Sequence, residues 1–285
     1  SPASARLHLV MSVLGAGPSR VKIVSGRTSE HETIRIGPWV RGRLLLFDLG
    51  FFKYQLFDRI DRNDGYFLSR LKSSTKPTVT AIHRVHRGRA RDLVGLPLWE
   101  GTAGLYREVV DCEVEVTFAR RPYDGSRSRA TRTFRAVGIR DENENAYHWY
   151  ITNVPPEKLA AEDVRAVYAA RWEVETIFKE LKSQIRLDEV PSRNRHVVET
   201  LILAAVLALA VSRRLWQALD RAIAVGRRLA ERRVTEMLGI LAPAIVAAVL
   251  GRPSAALVRF LRRLLLAEGL DPNVNRVLLL GFVRA

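Results

Sequence analysis

The sequence has 285 residues, 47% of them hydrophobic, and a formal net charge of +16 at pH 7. This composition excludes an intrinsically disordered chain and leaves room for one large or two modest domains, while the single cysteine, Cys112, excludes an internal disulfide and a cysteine-based zinc site. The positive charge predicts a polyanionic partner or an acidic membrane surface, with a basic ribosomal-type protein as the alternative.

The first part of the chain has the pattern of an α/β domain. Two strands are predicted within residues 5–24, and the continuous apolar run RLLLF at 43–47 is typical of a strand buried on both faces. The run ends at Asp48, and a helix over 51–60 and a strand over 66–71 follow. Because α/β sites form at the carboxyl ends of strands, Asp48 is a candidate site residue.

The pattern changes between about Ser73 and Asn153. Residues 112–118 alternate between apolar and polar side chains, and further strands are predicted at 130–139 and 146–152, separated by turns. These features predict an inserted region that is mainly antiparallel β-structure.

A long helix is predicted over 161–184, and it carries the spacing Y-x2-R-x3-E-x6-K. At about 100° per residue, these four side chains fall on one stripe roughly 60° wide, at the border between buried core and water. The same geometry places Glu173 and Glu180 on the far, water-facing side. The stripe is formed by Tyr168, Arg171, Glu175 and Lys182. Geometry alone leaves open a surface helix stabilised by i,i+4 pairs.

The remainder of the chain is predicted to be helical. A helix over 195–219 contains the apolar run Leu201–Val211, which is too short for a bilayer that needs ~20 residues, so we expect a buried helix and no membrane association. Residues from about 220 onward are arginine-rich and carry no recognisable motif.

The four-residue spacing resembles the signature of DDE transposases of the insertion-sequence-4 type. The Arg171-Trp172 pair, the strand Tyr147–Pro155 and the segment Arg43–Lys72 are similar to the same family, and the resemblance covers Ala5 to about Leu219. It implies an α/β, ribonuclease-H-like catalytic core interrupted by an antiparallel β insertion, with a helical C-terminal part. The implied boundaries are 1–72 for the first part of the core, 73–153 for the insertion, 154–219 for the core helices and 220–285 for the C-terminal region.

The family catalyses phosphodiester cleavage and strand transfer with two divalent ions, Mg²⁺ or Mn²⁺, held by Asp, Asp and Glu. The resemblance matches Asp48 to the second Asp and Glu175 to the Glu, both as catalytic residues and as metal ligands. Residues 1–47 contain no Asp, so the first Asp and its strand are absent from the sequence. We therefore expect an N-terminally truncated chain whose catalysis is impaired.

The resemblance also implies a set of DNA-contacting residues. Tyr168, Arg171 and Lys182 match the residues around the terminal phosphate of the transposon end, and their donor groups suit phosphate. Trp149 and Trp172 are candidates for stacking on a base flipped out of the duplex, although Trp149 suits a core aromatic equally well. Backbone contacts are expected from Arg70 and Lys72, for which a solvated strand end is the alternative.

These features predict a DNA transposase that acts on the inverted-repeat ends of its own insertion sequence. Its partners would be double-stranded DNA, from transposon ends and target, and a second copy of the chain in the DNA complex. We expect a soluble prokaryotic protein of the cytoplasm, associated with the nucleoid when bound to DNA. The alternatives are a non-catalytic DNA-binding remnant and, more distantly, an RNA-binding or structural basic protein.

Overall fold

A computed structural model of the protein describes residues 5–12, 17–25, 34–84, 92–120, 128–141, 143–183, 192 and 194–223, with isolated residues between 230 and 267. Its internal contacts divide the chain into two compact units. The first, called the sheet unit, is Ser29–Arg171, and the second, called the helical unit, combines Ser1–Thr28 with Trp172–Ala285. The domain boundaries expected at 73, 154 and 220 stay predictions.

Along the chain, groups of two or three strands are followed by helices. The strands are β1 (Ala5–Ser12), β2 (Gly17–Ser25), β3 (Leu44–Phe47), β4 (Tyr66–Arg70), β5 (Thr78–Ile82), β6 (Val109–Ala119), β7 (Arg129–Asp141) and β8 (Ala146–Thr152). The helices are α1 (Tyr54–Asp61), α2 (Leu98–Thr102), α3 (Val164–Ala169), α4 (Trp172–Ser183) and α5 (Arg195–Ile223). The predicted mixed α/β character is therefore confirmed.

The sheet unit is built on a six-stranded mixed sheet with the order β3-β4-β8-β7-β6-β5. β3 and β4 run parallel, as expected for two strands joined through a helix, and the other neighbouring pairs are antiparallel. The long antiparallel strands β6, β7 and β8 coincide with the alternating segments of the sequence. They continue the sheet that β3 and β4 begin.

The expectation that residues 43–47 form a strand buried on both faces is wrong. β3 is the first strand in the sheet order and pairs with β4 alone among the described strands. Leu44 is consequently 39% exposed, and only Phe47 is fully buried. An apolar run of four residues does not reveal whether one neighbour or two will cover it.

The sheet is covered on both faces. α1 packs on one face, where the Phe57 and Phe67 rings stack with centroids 4.3 Å apart and Phe134 meets Phe67 edge-on at 5.2 Å. α3 packs on the other face, where Val164 and Tyr168 cluster with Leu68, Val137 and Tyr150. Successive residues of a strand point to opposite faces, so Phe67 and Leu68 belong to different clusters.

A buried ion pair connects β6 and β7 to the segment that precedes α3. Arg135 binds Asp111 through two parallel hydrogen bonds of 2.8 Å and 2.7 Å. The remaining guanidinium nitrogen donates to the carbonyl groups of Val154 and Leu159 at 3.2 Å and 2.7 Å. Both charges are thus paired and hydrogen-bonded, as burial requires.

The helical unit contains an antiparallel hairpin of β1 and β2 and the helices α4 and α5. Ile177 and Leu181 of α4 pack on Ala205, Val206 and Leu209 of α5. The inward-facing side chains of the hairpin join this cluster, and they are Leu7, Leu9, Met11 and Val21. The period-3.6 and period-2 patterns of the sequence thus converge on one apolar core.

The apolar run Leu201–Val211 is not wholly buried as expected. Ile202, Ala205, Val206 and Leu209 face the core, whereas Leu203 and Leu207 are more than half exposed. One face of α5 covers α4 and the hairpin, and the sequence is apolar on both faces. By length and composition alone, Arg195–Gln217 of this helix would be able to cross a membrane, and 22% of that window is buried inside the structure.

Candidate functional site

The predicted site residues fall in both units. The sheet unit contains Asp48, Arg70, Lys72, Trp149, Tyr168 and Arg171. The helical unit contains Trp172, Glu175 and Lys182. The division falls between Arg171 and Trp172, in the middle of the sequence motif, and each group is described within its own unit.

Asp48 lies at the carboxyl end of β3, as predicted. Its backbone is extended, and its carbonyl accepts the hydrogen bond from Phe51 that closes a short 3₁₀ turn over Leu49–Phe51. The side chain makes no capping bond to this turn and is exposed. The carboxylate is therefore oriented by its strand and accessible to a ligand from solvent.

Tyr168 connects α3 to the residue that precedes Asp48. Its side chain is 8% exposed and packs edge-on against Tyr150, with ring centroids 5.3 Å apart. Its hydroxyl donates a hydrogen bond of 3.3 Å to the carbonyl oxygen of Phe47. A phosphate contact in which this hydroxyl donates would need that bond to break, because a phenol has a single proton.

Charged groups surround the Tyr168 hydroxyl. Burial raises the pKa of Tyr168, and the negative charge of Asp48 raises it further. The positive charges of Arg171 and Arg70 lower the same pKa. The Arg171 guanidinium carbon lies 5.8 Å from the centre of the Tyr168 ring. One carboxylate and two cations of the predicted set therefore act on a single buried phenol within the sheet unit.

The expectation of one continuous helix over 161–184 is wrong. α3 ends at Ala169, α4 begins at Trp172, and the amides of Ala170 and Arg171 donate to carbonyl groups three residues back instead of four. The four-residue stripe is consequently divided between two helices. Neither glycine nor proline causes the break; the anchoring of Tyr168 on Phe47 and Tyr150 fixes α3, and tertiary packing overrides helix propensity.

Arg70 ends β4 and reaches across the sheet to β8. Its guanidinium contacts His148 Nδ1 at 3.2 Å, and His148 Nε2 contacts Asp141 at 3.3 Å. Lys72, two residues further on, is exposed beyond the end of the strand. The sequence predicted Arg70 and missed its neighbours. The alternation of residues 146–152 would have placed His148 and Tyr150 on one face, but it carries no information about their partners.

The two tryptophans occupy contrasting environments. Trp149 is 6% exposed, packs edge-on against Trp99 at 6.0 Å, and belongs to the core on the α1 face. Its face is not accessible to a base in this arrangement, which supports the alternative of a core aromatic. Trp172 is 58% exposed at the start of α4 and is accessible for stacking.

Glu175 and Lys182 lie on α4 of the helical unit, where Glu175 is half-buried and Lys182 is exposed. The expected water-facing position of Glu180 is wrong. Arg213 of α5, which is 1% exposed, donates to both Glu180 oxygens at 3.1 Å, and its guanidinium lies 3.9 Å from Glu173. The polar side of α4 thus meets a buried cation, which helical periodicity alone does not anticipate.

The described residues contain no group of three or more His, Cys, Asp or Glu side chains arranged to hold a metal ion. Mg²⁺, however, is usually bound through one or two carboxylates together with water and substrate phosphates. An exposed, uncapped carboxylate such as that of Asp48 fits this chemistry. The donor type therefore suits a divalent ion, while a complete cage of protein ligands is not seen in the described ranges.

Sequence comparisons agree on one family. The sequence model described as "Transposase DDE domain" matches residues 3–211. The chain is 24% identical over 229 residues to the transposase for insertion sequence element IS1151 of Clostridium perfringens, covering 67% of this chain and 46% of that protein. It is 23% identical over 194 residues to the transposase for insertion sequence element IS231F of Bacillus thuringiensis subsp. israelensis. That match covers 59% of this chain and 40% of that protein. The matches thus span less than half the length of these curated relatives.

Proposed function

The chain belongs to the transposase DDE domain family, and on that premise we propose that it cuts DNA and transfers strands at the inverted-repeat ends of its own insertion sequence, as insertion-sequence-4 type enzymes do. Both relatives named above are transposases of insertion sequence elements. The net charge of +16 supports a DNA partner, because a polyanion is attracted by such a surface.

One observation carries the proposal. The carboxylate of Asp48 stands at the end of a strand, and the Tyr168 hydroxyl donates to the carbonyl of the preceding residue, Phe47. The Arg171 guanidinium lies 5.8 Å from the centre of the same ring, and the charges of Asp48, Arg70 and Arg171 all affect the pKa of that phenol. A carboxylate next to phosphate-binding cations is the arrangement that phosphodiester chemistry needs. The parallel pair β3 and β4, connected through α1, supports a ribonuclease-H-like catalytic fold.

Each site residue has a proposed role. Asp48 and Glu175 are the catalytic carboxylates and would hold the divalent ions that the family generally uses, Mg²⁺ or Mn²⁺. Such ions stabilise charge on the attacking and leaving oxygens of a phosphodiester. Backbone phosphates are contacted by Tyr168, Arg171, Lys182, Arg70 and Lys72, and the exposed Trp172 stacks on an unpaired base. Trp149 would have to leave the core before it could stack on a base as Trp172 does.

The partners and cellular location follow from this function. We propose double-stranded DNA as the partner, a homodimer in the DNA complex, and the prokaryotic cytoplasm as the location. The 285 residues alone are proposed to cleave slowly, because they match two of the three family carboxylates and residues 1–47 contain no Asp.

The proposal is tested with the 285-residue chain and with an extended form that carries any residues encoded in frame upstream of it. Both are assayed for binding and cleavage of DNA that carries the ends of the element, with and without Mg²⁺. We expect metal-independent binding by both and efficient cleavage by the extended form. Glu175→Gln and Asp48→Asn should abolish cleavage and keep binding, whereas the exposed Glu157→Gln should change neither. Loss of binding in the first two variants would assign these carboxylates a structural role.

A second candidate is a DNA-binding remnant without catalysis. It is favoured by the absence of Asp from residues 1–47 and by the lack of a three-ligand metal group in the described residues. Binding to the element's ends that never leads to cleavage, even in the extended form, would support this candidate and contradict the enzyme.

A further inference from the structure

His148 stands between a cation and an anion on neighbouring strands. On the α3 face of the sheet, β8 lies between β4 and β7, and the imidazole is flanked by Arg70 on one side and Asp141 on the other. Its side chain is 20% exposed and that of Asp141 is 14% exposed, so both are largely shielded by the surrounding structure. Such a row of three polar groups on three adjacent strands is more ordered than a solvated strand end.

The partners determine which nitrogen of the imidazole carries the proton. An arginine side chain can only donate hydrogen bonds, so His148 Nδ1, 3.2 Å from the Arg70 guanidinium, must act as the acceptor. The proton is then on Nε2, which faces Asp141 at 3.3 Å and Glu144 at 3.6 Å. A carboxylate that fixes a histidine tautomer in this way also fixes the orientation of the ring.

Asp141 is itself held in place. One carboxylate oxygen accepts the backbone N–H of Asn143 at 3.0 Å, and the other accepts from Arg165 of α3 at 3.3 Å. The backbone hydrogen bond from Asn143 lowers the pKa of Asp141, and His148 and Arg165 add to that effect. The carboxylate therefore stays ionised at neutral pH and orients the imidazole.

The end of this row is directed to the proposed site. Burial raises the pKa of Tyr150, while the guanidinium groups of Arg165 and Arg70 oppose the rise, and Arg70 opposes it at Tyr168 as well. Arg70 also lies opposite Tyr150 in the register of β4 and β8, and Tyr150 packs edge-on against Tyr168, whose hydroxyl contacts the carbonyl of Phe47, next to Asp48. An exposed arginine on its own would sample many rotamers, and ordering it on binding would cost affinity.

We propose that His148 is a positioning residue that holds Arg70 ready for a phosphate of bound DNA. Asp141 fixes the tautomer, His148 accepts from Arg70, and the free donors of the guanidinium fork point to the phosphate. The proposal rests on the proposed function, since it requires that DNA binds at this face. It adds a role for His148 and Asp141 to the residues named above.

A double-mutant cycle with DNA carrying the element's ends tests the role. Arg70→Ala should weaken binding and reduce its salt dependence by about one phosphate contact. His148→Ala should weaken binding by about 2- to 10-fold, the cost of ordering one long side chain. The double variant should bind no more weakly than Arg70→Ala alone, because His148 acts through Arg70.

Two conservative variants separate positioning from packing. His148→Asn keeps an acceptor near the position of Nδ1 and should retain most of the affinity, whereas His148→Gln extends toward Asp141 and should not. Asp141→Leu removes the acceptor of the Nε2 proton, so the ring loses its fixed orientation and the loss seen in His148→Ala should be reproduced; Glu144→Gln is its control. Thermal melting of each variant confirms that it is folded.

The possible outcomes are distinct. Losses that multiply in the double variant, or an equal loss in His148→Asn and His148→Ala, would overturn the positioning role. If Arg70→Ala bound DNA as tightly as the wild type, the positioning role would also be overturned, while a DNA-binding function would remain. A wild-type chain that binds no DNA at all would instead contradict the proposed function.

Discussion

The two units hold their proposed site residues by different physical means. In the sheet unit, Asp48 and Arg70 lie at strand ends that hydrogen bonds hold: Tyr168 donates to the carbonyl of Phe47, the residue before Asp48, and Arg70 donates to His148. In the helical unit, Glu175 lies on α4, which packs against α5 through the apolar side chains of Ile177 and Leu181. Polar networks fix direction, because hydrogen bonds are directional, whereas apolar packing fixes position and tolerates rotation.

Among the described residues, each unit contains one buried arginine, and these two arginines differ in what they bind. Arg135 binds a carboxylate on the neighbouring strand and two carbonyl groups, so it connects the sheet to the segment before α3. Arg213 binds Glu180 of the neighbouring helix α4, so it connects two helices by a side-chain contact. In the helical unit, this ion pair is therefore a directional contact between α4 and α5.

The largest expected effect is at the sheet unit's ion pair. Arg135→Leu should lower the free energy of unfolding by about 3–5 kcal/mol, because it leaves the Asp111 carboxylate buried without a partner. Denaturant unfolding measures this change, and hydrogen exchange should show lost protection first in β6 and β7. The control is Arg41→Leu, which removes an ion pair with Asp64 in which both side chains are mostly exposed. We expect it to lower the free energy of unfolding by less than about 1 kcal/mol.

The double substitution Asp111→Leu/Arg135→Met sharpens this test. It replaces both charges by apolar groups and should recover most of the lost stability. A change of less than about 1 kcal/mol in Arg135→Leu would show that water reaches Asp111, and the buried pair would then not hold the unit together.

The matching substitution in the helical unit is Leu181→Ala. Leu181 is fully buried between α4 and α5, so the cavity should lower the free energy of unfolding by about 3 kcal/mol. Protection from hydrogen exchange should decrease in α4. The control is Leu207→Ala on the exposed side of α5, for which we expect little change. If both variants lost the same free energy of unfolding, the apolar contact between α4 and α5 would not be what holds α4 in place.

A smaller effect is expected at Gly138, where the core is closely packed. A methyl group there would lie 2.8 Å from the Trp149 ring, so Gly138→Ala should cost about 1–3 kcal/mol through overpacking. Trp149→Phe in the same chain should relieve part of that cost, giving a non-additive double variant. Full additivity would indicate that Trp149 leaves the core readily, which would restore it as a base-stacking candidate beside Trp172.

The smallest expected effect concerns Cys112, which is buried in β6. Burial raises the pKa of its thiol to about 12, and the charges of Asp111 and Glu113 contribute. The native thiol should therefore resist iodoacetamide at pH 8, where an unfolded cysteine of pKa ~8.5 reacts. The contribution of the protonated thiol to folding stability is complete below the pKa of the unfolded cysteine and decreases as the pH rises above it. Cys112→Val should therefore lose less stability at alkaline pH than the wild type. Rapid labelling of the folded protein would contradict this assignment.

Local patterns predicted a large part of the fold. The strand ending in Asp48, the helix after it and the alternating strands β6, β7 and β8 were all recognisable, because each depends on residues close together in the sequence. The identification of Asp48 as a strand-end carboxylate used the same local information. The roles of Glu175 and Lys182 came from the family resemblance and stay predictions.

The errors have a common physical origin. The break at Ala170-Arg171 depends on the contact of Tyr168 with Phe47, which is 121 residues away in the sequence. The position of Glu180 depends on Arg213, 33 residues away. The contact of Arg70 with His148, 78 residues away, was likewise not predicted, although the role of Arg70 stays a prediction. Such pairings depend on which surfaces meet, and helix or strand periodicity contains no term for them.

The sequence by itself determined the types of elements, the carboxylate at the end of β3, the basic charge and the family. Those properties follow from residue type, spacing and composition, which are local or additive along the chain. Tertiary structure alone decided that β3 is the first of the six described strands in the sheet, that Trp149 is a core residue while Trp172 is exposed, and that Arg70, Arg135 and Arg213 each bind a partner. Burial and pairing are properties of surfaces brought together by folding, so the same side chain has a different free energy in each possible setting.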